Sequence, residues 1–345
     1  VKAPLRGQRV LDLSRYAPGP FCTLILAALG AEVIKIEGRP DGDPLRGLDP
    51  DAFERLNAGK KSVVLDLKSD AGNRALRRLA KEADVLVEGF RPGVMSRLRL
   101  DYESLKTEAP RLLYLSLTGY GQDGPYRERA GHDVNYMAAA GALRALRTPP
   151  ALQVADFAAG GLFGVVAVLS ALLSRGASSP GRRIDLSMHH GVLSMMMLAS
   201  GEAASRLSGA FPNYAIYRTR DGGALSVGAL EPKFWAAFCA GIERRDLESR
   251  MLDPEAVAEV ARAVEERDLA FWGERFAGID ACVEPLASPE GARLHPQAVH
   301  RRVGSGFSLP FLDGAPGAAD LGRAPRLGEH NRELGLIDAP FEDLG

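Results

Sequence analysis

Arg9-Val10-Leu11-Asp12-Leu13, Tyr16-Ala17-Pro18-Gly19-Pro20, Phe21 to Leu29, Gly30 and Glu32-Val33-Ile34-Lys35-Ile36-Glu37 follow one another along the chain. The first and last are short β-type runs. Between them a proline- and glycine-rich turn opens an apolar helix, and Gly30 stops it. Strand, helix and strand in succession make a βαβ unit. Such units build right-handed parallel sheets.

The alternation continues outward. Ser62 to Leu67 reads as strand, Asp70 to Ala83 as amphipathic helix, and Asp84 to Glu88 and Leu112 to Leu117 as further strands. The fold class is therefore α/β: a large, open, mostly parallel α/β domain, with ligand expected at the loops after Glu37, Leu67, Glu88 and Leu117. Helices are expected over Asp133 to Leu146, Ala158 to Ser174 and Met188 to Ser205, with a strand over Arg183 to Ser187. A smaller α+β domain carries a hairpin (Ala215 to Thr219, Ala224 to Val227) and helices at Pro232 to Ile242 and Pro254 to Arg267. The expected division is 1–207 for the large domain, 208–309 for the smaller one, and 310–345 for a Gly-, Pro- and Ala-rich segment returning to the large domain.

The 345 residues carry 43 Lys+Arg and 44 Asp+Glu, a net charge of −1, which argues against a general nucleic-acid binder. Cys22, Cys239 and Cys282 are too few and too scattered for a disulfide framework or a zinc site, and suit a reducing cytoplasm. No His-x-x-x-His pair or carboxylate cluster supports a metal. The apolar run Ala158 to Leu173 is short for a membrane span and contains three glycines, so a buried core helix is expected.

Basic loops stand near the sheet. Asn57-Ala58-Gly59-Lys60-Lys61 precedes a strand, Arg39 follows one, and Gly89-Phe90-Arg91-Pro92-Gly93 follows another. Read singly they are solvated charge; together they suit a polyphosphate. There is no Walker-type loop and no Gly-x-Gly-x-x-Gly after the first strand, which weakens a dinucleotide reading. Gly131-His132-Asp133 places an imidazole just before a helix that Asp133 is placed to cap. Asp156 is a lone carboxylate in an apolar run ahead of a Gly-rich helix, so it is a cap, a functional group or both. Glu231 stands beside Pro232 where a strand gives way to a helix, and Met188, Met195, Met196 and Met197 share one expected helix.

These motifs, with Gly7 to Leu13, Leu29 to Glu37, Leu117 to Tyr126, Val227 to Phe234, Asp280 to Val283 and Gly328-Glu329-His330, resemble the family III CoA-transferase superfamily (CaiB/BaiF type), and within it the α-methylacyl-CoA racemase branch. The likeness runs over nearly the whole chain. It implies an acyl-CoA enzyme of fatty acid metabolism that needs no metal or redox cofactor, coenzyme A being part of the substrate. It also implies an interlocked homodimer in the cytoplasm, with no nucleic-acid or membrane partner.

The resemblance assigns CoA binding to Arg39, Ala58, Lys60, Lys61, Gly89 and Arg91, and a substrate wall to Tyr136, Met188 and Met195. It implies His132 and Asp156 as two bases flanking the α-carbon of a 2-methylacyl-CoA, with Glu231 orienting the histidine. The alternative is a CoA-transferase in which Asp156 is the nucleophile; His132 favours the racemase. A CoA-binding protein without activity is a third reading, and the presence of His132, Asp156 and Glu231 together argues against it.

Overall fold

The computed structural model describes residues 3–146, 151–176, 179–300 and 321–336. The chain divides into two compact units. The first holds the described residues up to Arg144, then 151–195, then 321–336; the second runs from Met196 to His300, with Ala145 and Leu146.

The first unit is built on six strands: β1 (Arg9–Asp12), β2 (Glu32–Glu37), β3 (Lys61–Val64), β4 (Val85–Glu88), β5 (Leu113–Thr118) and β6 (Arg182–Ser187). They lie in the order β3-β2-β1-β4-β5-β6, all parallel. β4 and β5 are buried on both faces, so they read as near-continuous apolar runs instead of alternating ones. Val10, Val85, Val87, Leu113 and Leu115 point into one core. Leu11, Leu86, Leu112 and Tyr114 point into the other. The chain order reverses between β1 and β4, and a crevice opens at that point beyond the C-terminal strand ends.

The longer helices of this unit are α1 (Pro18–Ala28), α2 (Pro50–Asn57), α3 (Asp70–Lys81), α4 (Asp133–Ala139), a π-helix (Ala155–Leu162), α5 (Phe163–Leu173) and α6 (Met188–Met195). Three expected helices change shape. Gly141, at φ +81, breaks the run from Asp133, so a separate short helix covers Ala142–Leu146. The apolar helix expected from Ala158 starts at Ala155 and winds first as a π-helix. The methionine helix ends at Met195, so Met196 and Met197 are not on it.

Small residues let the π-helix sit against its neighbours. A Cβ on Gly161 would lie 2.5 Å from Phe21 Cδ1 of α1, and one on Gly191 of α6 would lie 2.7 Å from Ala159 Cβ and 3.0 Å from its carbonyl oxygen. The second contact includes backbone, so α6 and the π-helix must part to admit a methyl group. Gly191→Ala is expected to destabilise the protein by about 1–3 kcal/mol, measurable as a lower urea midpoint.

Residues 321–336 close the edge of the sheet. Asn331 brackets Val64, accepting its N–H at 2.9 Å and donating to its carbonyl at 3.1 Å. The His330 N–H donates to the Ser62 carbonyl at 2.9 Å, and His330 Nδ1 accepts the Ser62 N–H at 3.2 Å. An exposed edge strand is thereby paired.

The second unit carries an antiparallel sheet of β7 (Tyr214–Arg218), β8 (Ala224–Gly228) and β9 (Val283–Pro285). Helices α7 (Pro232–Gly241), α8 (Ala256–Glu265) and α9 (Leu269–Phe276) pack on it through Trp235, Phe238, Val260, Val264, Trp272 and Phe276. The indole N–H groups are satisfied inside this core, Trp272 by the Val264 carbonyl at 2.8 Å.

Candidate active site

A cavity of about 590 Å³ opens in the crevice of the first unit. Loops after β1 (Ser14 to Tyr16), after β4 (Gly89 to Pro92) and at the end of β5 (Leu117 to Tyr120) form its walls. His132, Asn135 and Tyr136 enter from α4 and its approach, Asp156 from the π-helix, and Met188 from α6. The imidazole and the carboxyl expected as bases thus face one space.

Local sequence explains each placement. His132 is extended (φ −126, ψ 177) and sits at the N-cap position of α4, where its N–H donates to Asn135 Oδ1 at 3.0 Å. Asp133 is in the first turn, buried, and does not cap its own helix. Its Oδ1 accepts the N–H of Asp156 at 2.9 Å, so it joins the segments that carry His132 and Asp156. Asp156 is in the first turn of the π-helix, not ahead of the helix as expected. π-turns are rare and gather at functional sites. Burial, then the neighbouring Asp133 charge, pushes the Asp156 carboxyl up to about 7. Burial and then Asp156 push the Tyr136 hydroxyl up to about 12, so it remains a hydrogen-bond donor.

The wall beneath is held by buried charge. Lys35 Nζ donates to the Ser14 carbonyl at 3.1 Å and pairs with Asp43 Oδ2 at 2.9 Å. Asp43 Oδ1 accepts the Tyr16 N–H at 3.3 Å, and Tyr16 adopts φ +61. Arg15 lies over the Phe90 ring at 5.0 Å, bridging the loops after β1 and β4.

Several expected ligand residues stand elsewhere. Lys60 is 3% exposed; its ammonium contacts Asp12 Oδ2 (3.1 Å), the Pro20 carbonyl (2.9 Å), Thr23 Oγ1 (2.8 Å) and Asn57 Oδ1 (2.9 Å). It is a core residue and has no donor left for a phosphate. Lys61 is paired with Glu32 and Glu333 at 2.7 and 2.5 Å. Ala58 is buried at the end of α2. Met195 is 40% exposed at the end of α6 and lines neither this cavity nor the next. Gly89, Arg91, Tyr136 and Met188 do line the cavity.

Arg39 lines a second space of about 250 Å³ beyond the C-terminal ends of β2 and β3, with Ser69, Arg74 and Arg78. Arg74 and Arg78 were missed because they read as the polar face of α3; their spacing of four, one helical turn, was the available signal. Arg15, Arg127 and Arg129 of the main cavity were also missed. They sit in irregular loops where no periodicity marks a binding wall.

The sequence model of CoA-transferase family III matches residues 5–331. The chain belongs to that family. It is 36% identical to α-methylacyl-CoA racemase of Mus musculus, over 96% of this chain and 92% of the relative. It is 29% identical to succinyl-CoA–D-citramalate CoA-transferase of Chloroflexus aurantiacus, over 99% and 96%. Among solved structures, a CaiB/BaiF family protein from Brucella suis superposes with a TM-score of 0.80 at 29% identity, covering 96% of this chain and 98% of that one. These relatives include both racemases and transferases, and together with the six-stranded parallel sheet they bear out the α/β expectation.

Glu231 stands in the second unit, at the N-cap position of α7, where its side chain makes no capping bond to the helix. Its carboxylate is therefore not consumed by the helix that follows it.

Proposed function

We propose that this family III enzyme is a racemase of 2-methylacyl-CoA thioesters. The observation that carries the reading is the shared cavity of His132 and Asp156, with the carboxyl held near neutrality. One group removes the α-proton, and the C–H electron pair moves into the enolate. The conjugate acid of the other delivers a proton to the opposite face. An ordinary carboxyl would have lost its proton long before pH 7 and could not donate. One at about 7 takes either part. In this reading backbone amides at the start of the helix after His132 or of the one carrying Asp156 meet the enolate oxygen. The thioester arm occupies the cavity past Gly89 and Arg91, and the nucleotide end meets Arg39 in the second space. The scheme uses protein groups and the CoA of the substrate alone.

We assign the exposed side of the helix from Ala155 to Leu173 to a second copy of the chain. Eighteen consecutive residues of that stretch have a mean hydropathy of 2.0, yet only 39% of them are buried, and Leu162, Val166 and Leu173 face out. A partner in an interlocked cytoplasmic dimer covers such a stripe; a lipid phase does not suit a helix whose first turn carries Asp156 into the cavity that holds His132 and four arginines.

The second reading is CoA transfer, favoured by the transferase relatives and by four arginines around the cavity, which suit an acidic acceptor. There Asp156 attacks the thioester carbonyl, forms a mixed anhydride and releases the CoA thiolate. The two readings part in heavy water. Racemisation of 2-methylacyl-CoA with α-deuterium uptake supports the first. Transfer of CoA to added succinate without α-deuterium uptake supports the second and overturns the first.

A further inference from the structure

Asp133 is neither of the two bases, yet it is tied to both. Its backbone follows His132 directly and opens α4, while its Oδ1 accepts the N–H of Asp156 at 2.9 Å. It is 7% exposed. The Asp156 amide stands in the first turn of its helix, where such groups have no partner within the helix itself. The bond therefore spans two segments far apart in sequence, at the point where each delivers its reactive group to the cavity.

We propose that Asp133 is a positioning residue that holds the carboxyl of Asp156 and the imidazole of His132 at a fixed separation across the cavity. This rests on the acid–base reading above. Proton transfer to a carbon held between two groups is sensitive to displacements of about 1 Å. A hydrogen bond in a buried setting is stiff enough to set that separation, whether or not its acceptor is charged.

The same carboxylate puts a negative charge beside Asp156, and after burial it is the second cause of the raised pKa there. The charged or titratable groups that face Asp156 are Asp133 and Tyr136 from α4 and, across the cavity, His132 and the four arginines. Pro18 of α1 and Met188 of α6 face it without charge. Among the groups named, Asp133 is the carboxylate, so removing its charge has a defined sign.

The test compares the full-length protein with Asp133→Asn and Asp133→Ala. Carbon-13 NMR titrates the Asp156 carboxyl, assigned with Asp156→Asn, and α-deuterium exchange gives kcat and KM. Asparagine keeps an oxygen to accept the amide but carries no charge. It should hold kcat within about threefold while the Asp156 titration falls by about one unit. Alanine removes the tie; kcat should fall by about 30-fold or more with KM within twofold. The proposal is overturned if alanine leaves kcat intact, if asparagine loses as much as alanine, or if the titration does not move in the asparagine variant. Should alanine prevent folding, the asparagine variant decides alone. If the wild-type protein neither exchanges nor transfers, the proposed function fails, and the titration still upholds or overturns the tie between Asp133 and Asp156.

Discussion

Replacing Asp156 with asparagine is expected to cut racemisation by roughly 1,000-fold while the protein stays folded and binds CoA thioester as before. The substitution is nearly isosteric, and asparagine can still accept or donate a hydrogen bond in the cavity, so the loss isolates proton transfer from packing. Racemisation needs both faces of the α-carbon served, so His132→Ala is expected to lose as much by itself, and the double variant little more. The wild-type pH profile should be bell-shaped, because the productive enzyme carries one proton between the two groups. Asp156, pushed up to about 7 by burial and by Asp133, lets that state persist at neutral pH. Below that titration Asp156 holds its proton and cannot act as the base; above it, Asp156 cannot donate. Equal kcat in Asp156→Asn and wild type would remove Asp156 from the chemistry.

The second large effect is on stability. Lys60→Met is expected to cost about 3–5 kcal/mol in urea or guanidinium unfolding. The methionine fills similar space, but Asp12 loses the ammonium 3.1 Å away and stays in a site with no solvent. Burial alone would raise the Asp12 carboxyl; Lys60 and then Lys35 hold it well below the usual carboxylate range. A carboxylate depressed in the folded state adds stability above its unfolded pKa of about 4, and that stability is lost as pH falls below it. The Lys60→Met deficit should therefore shrink in acid. Asp12→Asn in the Lys60→Met background should recover part of the loss, since it removes the stranded charge. A Lys60→Met variant as stable as wild type at pH 7 would show that Lys60 is not the core group its four contacts describe.

Lys60 also shows where sequence reading stops. A lysine beside a glycine in a loop ahead of a strand has the same local signature whether it reaches a phosphate or a buried aspartate. The choice depends on Asp12 and Thr23, which lie 48 and 37 positions away. The sheet was legible because β4 and β5 are buried on both faces, and continuous apolar runs such as Val85 to Val87 announce that burial locally. His132 and Asp156 stood out through the motifs they share with the family, because locally each also had a bland reading, the aspartate as a helix cap. The π-helix was not, since the pattern of apolar residues in Ala155 to Leu162 is compatible with either winding, and contacts from α1 and α6 at the glycines accompany the one adopted. Asp133 was read as a cap for the helix it begins, because its real partner, the Asp156 amide, is brought close only by tertiary packing.

The claim that two bases serve opposite faces of one carbon is tested most directly by following α-deuterium uptake separately from the R and S forms of a 2-methylacyl-CoA in heavy water. His132→Ala should still exchange one epimer and Asp156→Asn the other, with inversion lost in both. Equal loss of exchange from both epimers in each variant, or inversion surviving in the double variant, would contradict the account.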